Sequence, residues 1–441
     1  MRKFLFTTLP SNDLGLLTRS LPLARELHQR GHAIAFCSPA PAPSRLIADA
    51  GFPNLQPKDP FYALISGDFR PTTFARLLRS PRAGHKLALL AAFARRTLQN
   101  SSAEIWNLDH FMALLGAWQE DFVRTNVELL IGLIERTQPD AVIDFWNPFA
   151  CLAARVARKP LITVIQADMH PRSRGFLWWK PPPPALPTAL PAFNGVLNTY
   201  TLPPLQQTND LLLGNLTLIL GTPETDPLPP DAEGTYIGPI LWQQTDAPLP
   251  PWANRPLPAP PLIWVYSGNP RYAPGVSTPF DSNIVIATCI EALKDEPVQV
   301  ALSTGHHPLP RKFLPLPANF HFAPYLPGLA MAERSALLIH HGGYGSCQTG
   351  LYTGTPALIL PTYSERESNA RRVAALGAGE VILPDTDASG RQKHLNPATL
   401  RAKVRHILAT PSYKENAMLI REKLRQYGGA SQAAELILAA L

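Results

Sequence analysis

Charge is scarce in this chain: 17% of its residues are Asp, Glu, Lys or Arg, against 45% apolar. That balance excludes a disordered chain, which lacks the apolar surface to offset the entropy of ordering. Cysteine is scarce too. Cys37, Cys151, Cys289 and Cys347 lie far apart and form no CxxC pair, which argues against a disulfide framework and a thiolate zinc site. Buried free thiols are expected instead. His and Cys nowhere show metal-ligand spacing, the doublets His306-His307 and His340-His341 included, so no metal is expected. No apolar run reaches the roughly 18–20 residues that cross a bilayer. Phe4-Leu5-Phe6 gives way at once to Pro10, Asn12 and Asp13, too short a run for a secretory leader, and a cytoplasmic location is expected. No RNP, zinc-finger or helix-turn-helix pattern occurs, so nucleic acid is not an expected partner. The net charge of +7 suits a small anionic ligand such as a nucleotide diphosphate, or equally a solvated basic surface.

Proline, in contrast, is abundant: 49 of 441 residues, clustered between 180 and 261. The length exceeds one compact core and suits two domains. Apolar runs alternate with helical patterns, the mark of a parallel α/β sheet. Strands are expected at Lys3–Leu9, His32–Ser38, Ala141–Phe145, Leu161–Gln166 and Leu216–Leu220. A helix is expected at Leu16–Arg30, where Leu17, Leu21, Ala24 and Leu27 share a face. A second series runs through Leu262–Ser267, Val298–Ser303, Phe320–Ala323, Leu337–His341 and Ala357–Leu360. Seven prolines in Asp246–Pro261 read as a semi-rigid linker. The organisation expected is an N-terminal domain at 1–240, a linker at 241–261, a second domain at 262–425, and a closing helix at 426–441 with the option of packing back on the first domain.

Two segments of the first half stand apart. Arg70–Arg96 holds Arg76, Arg79, Arg82, Lys86 and Arg95 with no acidic residue. It is expected to be a solvated helix face; the alternative is a patch facing a membrane or an acceptor. Phe176–Pro191, with Trp178, Trp179 and Pro181–Pro184, is a long loop of the kind that lines a ligand pocket.

The stretch that carries chemistry is His340-His341-Gly342-Gly343-Tyr344-Gly345-Ser346, between a strand and the short helix Ser346–Thr353. Glycines there let backbone approach a ligand. The helix start offers unbonded N–H groups and a positive dipole end to phosphate, and ligands of parallel sheets bind at the strands' carboxyl ends. A glycine turn alone also serves plain helix–sheet packing.

His340–Gly379 resembles the donor-binding signature of the UDP-glycosyltransferase superfamily, with bacterial antibiotic and natural-product transferases nearest in pattern. The signature runs His-Gly-Gly-x-Gly-Ser/Thr, Gly-x-Pro, then a Pro, an acid and Asn-Ala. This chain supplies His341–Ser346, Gly354-Thr355-Pro356, Pro361, Glu365 and Asn369-Ala370. Phe4–Pro10, Leu21–Leu27, Arg30-Gly31-His32 and Tyr236-Ile237-Gly238-Pro239 resemble other parts of the family. The resemblance implies a GT-B fold: two doubly wound Rossmann-like α/β domains facing across a cleft. It implies an inverting, metal-independent transfer of sugar from a UDP- or dTDP-sugar, a co-substrate rather than a cofactor, to an apolar small-molecule acceptor such as a polyketide, macrolide, phenolic or lipid. It implies that His341 and the N–H groups of Gly343, Gly345 and Ser346 hold the diphosphate, with Ser267 and Gly268 nearby. Phe322 would stack on the base, Glu365 would bind sugar hydroxyls, and Asn369 would support that wall. Phe322 as plain core and Asn369 as a polar helix-start residue are the alternatives.

Four positions depart from the pattern. Thr349 replaces an acid that binds the ribose hydroxyls, a loss shared with some dTDP-using antibiotic transferases. Arg366 replaces a Gln, and Asn269 follows Gly268 in place of Ser. Leu16 stands where the family has its catalytic His. Asp13, in the loop after the first strand, is therefore the expected general base or its support, with Asp144 beside it and His170 as the alternative; Asp13 as a helix cap is equally compatible. A sugar-nucleotide epimerase or hydrolase, and a degenerate transferase that only binds donor or partners an active homologue, are the competing readings.

Overall fold

The computed structural model describes residues 1–9, 14–38, 40–99, 104–178, 181–242, 248–254, 260–268, 281–362, 365–386 and 393–441. Its frame is two six-stranded parallel sheets. The first joins β1 (Lys3–Thr8), β2 (Ala33–Cys37), β3 (Ala141–Phe145), β4 (Leu161–Ile165), β5 (Leu216–Leu220) and β6 (Thr235–Gly238) in the order β2-β1-β3-β4-β5-β6. The second joins β7 (Leu262–Tyr266), β8 (Gln299–Ser303), β9 (Phe320–Phe322), β10 (Leu337–His340), β11 (Ala357–Ile359) and β12 (Gly379–Val381) in the order β12-β11-β10-β7-β8-β9. Short β6 and β12 were not evident as strands, because neither carries a run of apolar residues long enough to show a period.

Successive side chains of a strand face opposite sides of its sheet, so each sheet separates two cores. In β1, Leu5 packs into one core while Phe4 and Phe6 pack into the other; Val142 against Ile143 and Ile219 against Leu218 divide likewise. In the second sheet Ile263 and Val265 face one core, Leu262 and Trp264 the other. Strands buried on both faces need helices on both, which the alternating sequence supplies. Between β2 and β3 the chain forms, among others, the helices Pro60–Ile65, Pro71–Leu78, Ala83–Gln99, Leu108–Met112 and Glu120–Thr137. All four cysteines are free and buried.

The closing helix, Ala430–Ala440, packs on the first half. Ala433, Ala434 and Ile437 lie in the core that holds Leu17 and Leu21 of helix Gly15–Gln29. Gly429 N–H donates to Ile237 O at 2.7 Å, and Arg30 pairs with Glu435 at 3.3 Å. Of the proline-rich connection, 243–247 and 255–259 lie outside the described residues. Between them Ala253 packs, with Leu249 and Trp252, against Trp264 and Leu326 of the second half, and Arg334 donates to Ala253 O at 3.0 Å. No described helix is long and apolar enough to cross a membrane.

Candidate functional site

A parallel sheet opens a crevice where its strand order reverses, because neighbouring connections there leave for opposite faces. In the second sheet that point lies between β7 and β10. The loops leaving these two strands are Ser267-Gly268 and His341-Gly342-Gly343, the pair singled out by the sequence. In the first sheet it lies between β1 and β3, whose ends lead to residues 9–14 and to Asp144.

His341 is the centre of the second crevice. Its ring sits between two backbone segments that approach as only glycine permits. A Cβ on Gly343 would meet Nε2 at 2.8 Å, and one on Gly268, at φ +76°, would meet Nδ1 at 3.0 Å. The ring bonds to the backbone of Tyr266, whose own ring lies 5.5 Å away. His341 Nδ1 is buried with no hydrogen-bond partner. Burial, then the charge of Arg366, hold its pKa well below the ordinary 6.5, so the ring is neutral. An orphaned buried nitrogen costs about 1–3 kcal/mol, and a phosphate oxygen would satisfy it while drawing a proton onto the ring. His340, the last residue of β10, is fully buried. Its Nδ1 accepts from Gly342 N–H at 3.1 Å, and burial lowers its pKa to about 3.

The helix after the turn spans Tyr344–Thr353, with Gly343 as N-cap and no side-chain cap. Open space lies above Gly345. Ser346 N–H donates to Gly343 O at 3.0 Å, and its side chain is half-buried. Thr349 Oγ1 donates back to Gly345 O at 2.8 Å. Ser267 is buried, with its Oγ on Gly268 O at 3.0 Å, and Asn269 lies outside the described residues. Phe322 ends β9, half-buried against the second core.

Helix Glu365–Ala375 places half-buried Glu365 in its first turn. Arg366 Nη1 reaches Thr362 Oγ1 at 3.3 Å. Asn369 is buried, and its Nδ2 donates to Gly342 O at 3.0 Å, so it braces the glycine turn.

Of the three candidates for the base, Asp13 lies outside the described residues. Asp144 is fully buried and accepts from Thr7 Oγ1 at 2.5 Å, Asn147 N–H at 2.9 Å and Cys151 Sγ at 3.2 Å. It ties β1 to the start of helix Pro148–Val156 and has no face toward a substrate. Both ring nitrogens of His170 are engaged, Nε2 with Glu233 O at 2.7 Å and Nδ1 with Arg172 N–H at 3.1 Å, and burial lowers its pKa. As placed, it holds a loop and has no lone pair to offer. Spacing alone could not reveal the bonds of Asp144 to Thr7 and of His170 to Glu233, since each joins distant segments.

Burial pushes the Asp144 carboxyl up to about 7, against the pull of Thr7, Asn147, Cys151 and the Trp146 backbone. Between about pH 4 and 7 the folded form then keeps a proton that the unfolded chain has released, so stability falls as pH rises, by roughly 1.4 kcal/mol per unit from this group. Asp144→Asn is expected to flatten that part of the curve. Urea unfolding of both proteins across this range checks it, and parallel slopes would remove Asp144 as the source.

An ion network that the sequence reading missed joins the two halves. Arg372 meets Asp168 Oδ2 at 3.1 Å and lies 3.9 Å from Asp226 Oδ1, and the side chains are 11%, 2% and 0% exposed. Asp226 Oδ2 also accepts from Tyr344 OH and Gln348 Nε2, both at 3.1 Å. Arg19 Cζ lies over the Tyr344 ring at 5.2 Å. Burial raises the pKa of both acids, with Arg372 opposing. Burial likewise disfavours the charged guanidinium, but the two carboxylates outweigh it and raise its pKa. Asp168 and Asp226 follow the ends of β4 and β5, where acids of a parallel sheet deserve suspicion; nothing in the sequence pairs them with Arg372. Nearby, Arg371 donates to Trp178 O, and the Trp178 and Trp106 rings meet at 4.4 Å. Among the described residues no group of three or more His, Cys, Asp or Glu is placed to hold a metal ion.

Residues 290–430 match the family described as Erythromycin biosynthesis protein CIII-like, C-terminal domain. An uncharacterized UDP-glucosyltransferase of Bacillus subtilis (strain 168), YojK, is 33% identical over 153 residues, 35% of this chain and 36% of that one. The chain spans about a third to a half of the length of the curated relatives it matches. Among solved structures, CalG4, the calicheamicin glycosyltransferase, has a TM-score of 0.67 at 19% identity, covering 100% of this chain and 98% of that one. The glycosyltransferase VinC in complex with dTDP has 0.65 at 18%, covering 99% of each. The fold is therefore the GT-B arrangement expected from the sequence. The resemblance of His340–Gly379 to the UDP-glycosyltransferase superfamily is upheld, since that stretch lies inside the matched region.

Proposed function

We propose that this chain is an inverting glycosyltransferase that moves a sugar from a UDP- or dTDP-sugar to a hydroxyl of an apolar small molecule, working in the cytoplasm. The observation that carries this reading is His341 Nδ1, buried without a partner at the crevice of the second sheet, between two glycines and beside the start of helix Tyr344–Thr353. The acceptor hydroxyl attacks C1 from the face opposite the leaving group, and the diphosphate departs with added negative charge. His341 and the helix-end N–H groups meet that charge already oriented, where little water competes. Thr349 presents no acid to the ribose, so thymidine donors are proposed to bind at least as well as uridine donors; the structure of VinC with dTDP supports that choice.

The base is proposed to be Asp13, which follows β1 in the sequence, with Asp144 anchoring the crevice of the first sheet from behind. Asp13→Asn keeps a helix cap but takes no proton, and is expected to cost roughly a hundredfold or more in turnover with little change in stability. Near-normal turnover would remove Asp13 from the mechanism. The apolar acceptor is proposed to lie among Trp106, Phe111, Trp146 and Trp178, whose rings pair as Trp106–Trp178 and Phe111–Trp146.

Leu16 in place of a catalytic His favours a second reading, a nucleotide-sugar-binding protein without transfer. Release of UDP or dTDP from nucleotide sugars, measured with and without a panel of apolar acceptors, separates the two. Acceptor-dependent release is expected, and it is expected to survive excess EDTA, because the leaving charge is met by fixed protein dipoles. Donor binding without release supports the second reading. Loss in EDTA with recovery in Mg²⁺ or Mn²⁺ means the helix end is not sufficient.

A further inference from the structure

Eight large apolar side chains are exposed among the described residues, and three of them, Phe69, Phe74 and Leu78, fall within ten positions, at 64%, 40% and 62% exposure. Phe74 and Leu78 stand one turn apart on helix Pro71–Leu78 and so share a face, while Thr73 and Leu77 point inward and are buried. Arg70, Arg76, Arg79 and Arg82 of the same stretch are exposed as well. The basic stretch of the sequence thus divides in two. Lys86 turns inward and pairs with Asp59, whereas the arginines turn out with the apolar residues. No acid occurs from 69 to 103. The nearest one, Asp68, is bonded to Arg70 and Thr73, and the Arg70 bond holds its pKa down at about 2.

We propose that this face, formed by Phe69, Phe74, Leu78, Arg70, Arg76 and Arg79, docks on the surface of an anionic lipid bilayer. Apolar side chains ringed by arginine suit the boundary between headgroups and acyl chains: the rings enter it and the guanidinium groups meet lipid phosphate. A second copy of the chain is a poorer occupant, because a two-fold contact sets the same patch against itself and brings arginine against arginine. The patch lies on the half of the chain proposed to take the acceptor, so docking would put the apolar substrate's entrance near the medium in which such a molecule collects.

The test is co-sedimentation of the full chain with vesicles of phosphatidylcholine alone and of phosphatidylcholine with phosphatidylglycerol. Binding is expected to the second kind and to weaken in high salt. Arg76→Gln/Arg79→Gln and Phe74→Ser/Leu78→Ser are each expected to reduce it roughly tenfold or more. Both double variants change exposed side chains, and an unshifted thermal midpoint together with unchanged turnover of a water-soluble acceptor shows that the fold and the proposed activity are intact. A wild type that stays in the supernatant with both vesicles, or equal binding by all three proteins, overturns the proposal. So does a changed mass in solution for Phe74→Ser/Leu78→Ser with unchanged vesicle binding, which would mark a contact between copies.

Discussion

Arg372→Ala is expected to destabilise the protein by about 3–5 kcal/mol, the cost of leaving a buried charge without its partner. Asp168 and Asp226, which Arg372 serves, are essentially inaccessible, and they lose their charged partner while staying buried. Their remaining course is to take up protons. The folded pKa values, already raised by burial, then rise further, and the folded form holds protons that the unfolded chain releases above about pH 4. The loss should therefore be small in mild acid and grow as pH rises through neutrality. Urea unfolding of wild type and Arg372→Ala at about pH 5 and about pH 8 checks both size and direction; a loss under about 1 kcal/mol, or one that shrinks with rising pH, would mean the network contributes little. Function should follow. Asp226 holds Tyr344 and Gln348, both on the helix whose start forms the proposed phosphate site, so a released helix should bind donor more weakly even where the protein stays folded.

His341→Ala is expected to lower kcat by roughly 10²–10³-fold, the usual effect of removing one oriented donor from a developing anion. Stability should change little. The substitution empties a cavity, which costs, but it also removes a buried nitrogen that no protein group satisfies, which gains. A residue that turnover needs and folding does not is the signature of a site. Steady-state kinetics with thermal unfolding of the same samples reads both. A large fall in midpoint with intact turnover per folded molecule would make His341 structural.

The ten strands expected from the sequence are there because each is rich in apolar residues, whereas Thr235–Gly238 and Gly379–Val381 carry only one or two. The glycine turn was legible because its spacing reports a backbone requirement, and Gly268 and Gly343 do press on His341. The functions of Asn369, His170 and Asp144 were not legible. Each is decided by a partner from a distant segment: Gly342 O for Asn369, Glu233 O for His170, and Thr7 for Asp144. The same holds for Arg372, whose bond to Asp168 spans 204 positions. Local pattern reports the period of a strand or the geometry of a turn, whereas a buried ion pair is set by how two sheets meet. Lys86 makes the point within one segment: in sequence it belongs with Arg79 and Arg82, yet it turns inward to Asp59 while they face outward.

Donor binding at the crevice between β7 and β10 is tested most directly by titration calorimetry of UDP and dTDP into the metal-free protein. Wild type is expected to bind at least one of the two and to take up a proton as the neutral His341 ring meets phosphate, while His341→Ala binds at least about tenfold more weakly, or roughly 1.4 kcal/mol, without that proton. Equal affinity of wild type and His341→Ala for both nucleotides would contradict it.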